Sequence, residues 1–85
     1  MQLLEREADW VHCWSNGPAF VYAPHSHSYR KILYVVEGSI TFTPVGREQI
    51  EMAAGDRLEL APGTVHGAIV GDSGVTCCEG QARAS

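Results

Sequence analysis

Nowhere in this sequence do apolar residues run for the roughly 18–20 positions that a helix needs to cross a bilayer, so a membrane partner is not expected. Basic residues are few and scattered, six against ten acidic ones for a net charge of −4, which argues against a surface that tracks nucleic-acid phosphates. Cysteine is scarce and odd in number. Of the three, Cys77 and Cys78 are adjacent, so no disulfide framework can be read and all three are expected as thiols. The opening residues mix acids with an arginine and lack the basic-then-apolar order of a secretory leader, which makes a cytoplasmic location the expectation. The sequence also has no evident Ser–His–Asp or Cys–His nucleophile arrangement and no phosphate-binding glycine loop.

What is present fits one small globular domain over residues 1–85. A chain of this length buries only about 60–65% of the surface its unfolded form exposes. Turn signals recur every eight to twelve residues: Asn16-Gly17-Pro18, Pro24, Gly38, Val45-Gly46-Arg47, Ala54-Gly55-Asp56, Pro62-Gly63 and Gly71-Asp72-Ser73-Gly74. Between them lie short runs rich in Val, Ile, Tyr, Phe and Thr, the pattern of an all-β barrel or sandwich built from hairpins. The expected strands cover residues 19–23, 32–37, 39–43, 48–52, 57–60, 66–70 and 75–79. No long amphipathic helix competes with them.

The first dozen residues are ambiguous. Leu4, Ala8 and Val11 have helical spacing, whereas Trp10, His12 and Trp14 alternate as a strand does, and a strand is expected near residues 10–14. Ile40, Phe42, Ile50 and Met52 stand at every second position, as when one face packs on a core. Residues 32–36 are apolar on both faces, so the outer face needs a cover. Leu3, Leu4 and Trp10 of the same chain are one choice; a second subunit, giving a homodimer, is the expected one.

The chemistry concentrates on histidines. His25 and His27 are two apart, so on extended backbone their imidazoles leave from one face and converge. His66 follows the turn Pro62-Gly63-Thr64-Val65, and barrel closure can bring it against the first pair. Three neutral imidazoles suit iron, zinc, nickel, copper or manganese as a divalent ion. His12, alternating with two tryptophans, reads as a barrel residue outside the site.

The pattern around these histidines resembles the cupins, in particular the small single-domain, conserved-barrel type. His25-Ser26-His27, three residues, Lys31, six residues and Gly38 fall in the register of that family's first motif, ending on Tyr34-Val35-Val36-Glu37-Gly38. Gly55 through Leu60, then Ala61-Pro62-Gly63, Thr64-Val65 and His66, resemble the second. The likeness covers about residues 17–80 and implies an antiparallel β-barrel of the jelly-roll or double-stranded β-helix type. It also implies a metal site made by His25, His27 and His66. Gly38, Gly55 and Gly63 are expected where hairpins need positive φ or close backbone approach.

Three positions depart from the family: Lys31 stands where a ligand glutamate is usual, Ala61 where proline is, and Val70 where asparagine is. The first leaves a three-histidine set. Lys31 is expected to snorkel outwards from a strand start, with a neutral amine beside the metal or a pocket built for an anion as the other two arrangements. Tyr22, Phe42 and Cys77 join Lys31 as pocket candidates. Cys77 and Cys78, on one strand, point to opposite faces, so at most one looks inward. Two function classes follow. One is a metal-dependent oxygenase or isomerase acting on a small organic substrate. The other is a non-catalytic barrel that binds or senses a small anion through Lys31 and holds metal weakly or not at all.

Overall fold

The computed structural model describes residues 2–83, with the side chains of Gln2 and Leu3 excepted. A short helix α1 (Gln2–Glu7) leads into six strands: β1 (Ala8–Asn16), β2 (Val21–His25), β3 (Lys31–Pro44), β4 (Ile50–Ala53), β5 (Arg57–Leu60) and β6 (His66–Ala82). Among the described residues no helix is long and apolar enough to cross a membrane.

Every strand pairing is antiparallel, and β3 and β6 form the spine. Residues 31–35 of β3 run between β5 and residues 77–81 of β6, with β1 on the far side of β6. Residues 40–44 of β3 run between β4 and residues 66–70 of β6, with β2 beyond. Two four-stranded halves result, and their inner faces share one core. Leu33, Val35, Val75 and Cys77 come from the first half; Ile40, Phe42, Met52, Ala68 and Val70 come from the second. Each of the larger aliphatic side chains here stabilises the fold by about 1.5–3 kcal/mol through burial.

The turns expected at Gly38 and at residues 71–74 are instead bends within long strands. β3 keeps running through Gly38, where the register with β6 slips on both sides. Gly38 has φ +77°, and a Cβ there would collide with the carbonyl of Gly74 on the facing strand. Only glycine meets both conditions, so the two glycines let paired strands pass from one half to the other without a loop. The strand read at 57–60 coincides with β5.

The first residues satisfy both competing patterns in turn. A helical turn carries Leu4 and a strand carries Trp14, and Leu4, Ala8, Ile32 and Cys78 form a second buried cluster on the outer face of the β3–β6 pair. The bare outer face that motivated a homodimer is therefore covered at Ile32 from within the chain, by Leu4 and not by Trp10, while Val36 stays exposed. Leu3 lies outside the described side chains. A register break between Asp9 and His12 puts Trp10 at φ +58° and 78% exposed, so the alternation of the two tryptophans does not hold: Trp14 alone turns inward.

The cysteine expectation is corrected. Cys13 and Cys78 stand opposite each other on β1 and β6 and form a disulfide, leaving Cys77 as the free thiol. Nothing local to either residue announces the pair, because their sequence separation is 65 and only the β1–β6 register brings them together.

Candidate metal and ligand site

His25 closes β2 and lies directly opposite His66, the first residue of β6. His27 sits two residues beyond the strand, where its backbone carbonyl accepts a 2.8 Å bond from the amide of Gly63. The Pro62-Gly63 turn thus anchors the histidine pair and launches the third histidine. Gly63 supports this with φ +77°.

One ring nitrogen from each of His25, His27 and His66 lies within 4.8 Å of the other two. His25 donates through Nδ1 to the carbonyl of Ala23 at 2.9 Å, and His66 donates through Nδ1 to the carbonyl of Thr64 at the same distance. A carbonyl oxygen only accepts, so both bonds place the proton on Nδ1 and leave Nε2 with a free lone pair. That is the outer support that orients metal-binding imidazoles. His27 Nε2 is buried and has no hydrogen-bond partner. An orphaned buried polar atom is costly unless something satisfies it. Burial pushes the His27 and His66 imidazoles below the usual range, with the Lys31 charge and neighbouring histidines adding to it, so both favour the neutral form that ligates. The donor set and its supports fit a divalent transition ion.

His25 and His66 open onto a cavity of about 260 Å³. Lys31, Tyr22 and Phe42 line it, and Lys31 does not point outwards. It shares strand parity with Leu33 and Val35, is 7% exposed, and pairs with Glu79 at 2.8 Å. Lys31 does start β3, but that end is paired with both β5 and β6, so parity decides its direction and it does not snorkel outwards. Glu79 also accepts a 2.5 Å bond from Trp14 Nε1. Cys77 faces inward but packs in the core instead of lining the cavity, and burial pushes its thiol up to about 12.

Sequence reasoning missed Glu79, Trp14 and the rim position of exposed His12. The parity of Glu79 with Cys77 was a usable signal for an inward carboxylate. Its meeting with Lys31 was not, since it depends on the β3–β6 register.

The cupin domain model matches residues 14–77. The chain belongs to the cupin family. Among solved structures this cupin is similar to KdgF from Halomonas sp., at 28% identity and TM-score 0.69, over 86% of this chain and 69% of that one. It is similar to the DMSP lyase DddQ from Ruegeria pomeroyi, at 17% identity and TM-score 0.76, over 81% of this chain and 35% of the lyase. An RmlC-like cupin from Shewanella frigidimarina superposes with TM-score 0.74 at 23% identity, over 87% and 65% of the two chains. The two likenesses below 25% identity speak for fold alone, and this chain spans about a third of the lyase. No curated protein matches.

Proposed function

We propose that this cupin is a small metal-dependent enzyme, an oxygenase or isomerase of a small organic substrate, in which His25, His27 and His66 hold a divalent iron, zinc, nickel or manganese ion. The observation that carries this reading is the buried, unpartnered Nε2 of His27 within a cluster whose other two imidazoles have their Nδ1 protons engaged by carbonyls. Such an ion supplies Lewis acidity and an open coordination position. The chain's own part is to keep the His27 and His66 imidazoles neutral, to orient those of His25 and His66, to exclude water with Leu33, Ile40 and Phe42, and to hold a ligand in a cavity of about 260 Å³ beside them. Glu79 and Trp14 keep the Lys31 ammonium in a fixed place, so its charge does not wander onto the histidines.

The test is metal content of protein purified without an affinity tag, alongside metal titration of the stripped protein. The parent is expected to bind and to gain thermal stability by mass action, and His66→Ala to lose both. Equal affinity in parent and variant for iron, zinc, nickel and manganese would sink the reading.

A further inference from the structure

The cavity holds the chain's single lysine, and that lysine is not used by the metal reading. Lys31 has three N–H donors, and among the described residues its partner is the Oε2 of Glu79. Each oxygen of Glu79 is engaged, Oε1 by Trp14 and Oε2 by Lys31. Two ammonium donors therefore remain inside a cavity wall at 7% exposure, a burial that a charged group tolerates only with acceptors around it. Apart from His25 and His66 of the histidine cluster and His12 at the rim, the remaining lining is apolar or aromatic: Leu33, Ile40, Phe42 and Ala68, with the rings of Trp14 and Tyr22. The volume falls just below the roughly 300–1,000 Å³ of pockets that take drug-sized molecules, so the occupant is smaller.

We propose that Lys31 is the carboxylate-binding residue of this cavity, with Glu79 as its internal counter-ion, and that the ligand is a small organic monocarboxylate with an apolar body. This rests on the reading of the cavity as the ligand site. Without a ligand, Glu79 balances the charge of Lys31 and takes one of its donors. An arriving carboxylate takes the two remaining N–H donors, and its apolar body lies along the Leu33, Phe42 and Trp14 walls. Glu79 then acts as a built-in competitor: the pair sums to zero charge, which lowers the affinity for an anion below what a bare ammonium gives.

The experiment is calorimetric titration of benzoate, and of its neutral isostere benzamide, into the metal-free full chain, as parent, as Glu79→Gln and as the double variant Lys31→Met with Glu79→Gln. Glu79→Gln is expected to bind benzoate at least about tenfold tighter than the parent, and the double variant at least about tenfold weaker than Glu79→Gln, the scale of a charge-assisted hydrogen bond. Benzamide is expected to bind poorly to all three. The proposal is overturned if benzamide matches benzoate, if Glu79→Gln binds benzoate no better than the parent, or if the double variant keeps the affinity of Glu79→Gln. Should near-UV circular dichroism show that the double variant has not folded, the comparison of Glu79→Gln with the parent decides alone. Zinc titration of the parent is a separate measurement, so failure of the metal reading and failure of the carboxylate subsite are told apart.

Discussion

Lys31 and Glu79 meet across the β3–β6 seam, Nζ to Oε2 at 2.8 Å, with both side chains 9% exposed. They are diagonal neighbours, since Lys31 lies opposite Gln81 and Leu33 opposite Glu79, and both face the cavity that His25 and His66 line. A unit charge about 5 Å from a divalent ion repels it by roughly 6–7 kcal/mol at an effective dielectric near 20. The carboxylate of Glu79 acts against that repulsion and offsets part of it, which eases the presence of an inward lysine beside the imidazoles.

Lys31→Glu should act in opposite directions on the metal-free and metal-loaded protein. Without metal it places a second carboxylate beside Glu79, and the variant should melt below the parent. With metal, a carboxylate at the family's ligand position replaces a repelling ammonium, so competition against a chelator should show affinity raised at least about tenfold. Affinity equal to or below the parent's would mean that position 31 does not reach the ion.

The acid sensitivity of the N-terminal cover should depend on Glu7. Its carboxyl is held below the usual range by the Tyr34 hydroxyl, which donates at 2.6 Å, and by the Arg57 guanidinium, which donates at 2.8 Å. A depressed carboxyl contributes stability that is full above its unfolded value of about 4.3 and is lost as pH falls through the lower folded value. Hydrogen exchange over β1 and β3 should therefore accelerate below about pH 4.3 in the parent. In Glu7→Gln exchange should be faster at neutral pH, with a shallower acid dependence. An unchanged acid profile in the variant would assign the effect elsewhere.

Thiol counting should separate the three cysteines. Native, unreduced protein should show no alkylation by iodoacetamide, because Cys77 is buried with its thiol pushed up to about 12 and the other two are paired. Unfolding without reductant should expose one thiol and unfolding with reductant three, read by mass spectrometry. Reduction should also cost about 2–4 kcal/mol in urea denaturation, since the bond closes a loop with a separation of 65. Three alkylated cysteines in unreduced, unfolded protein would exclude the disulfide.

Much of the candidate site's arrangement was legible in the sequence because its rules are short-range. The His25-Ser26-His27 spacing and the Pro62-Gly63 turn ahead of His66 each state a local backbone requirement that one segment satisfies alone, whereas Gly38 also answers to Gly74 on the facing strand. The inner-face pattern of Ile40, Phe42 and Met52 likewise needs only the alternation of side chains along a strand. What only the tertiary structure decided is which distant residues those strands bring into contact. The register of β3 on β6 turns Lys31 inward onto Glu79, and that of β1 on β6 joins Cys13 to Cys78. Leu4 is folded over Ile32 by the same assembly. Local sequence sets where a strand bends and which face is apolar, but register is chosen by the whole core at once, because a slip of one residue turns every side chain to the opposite face.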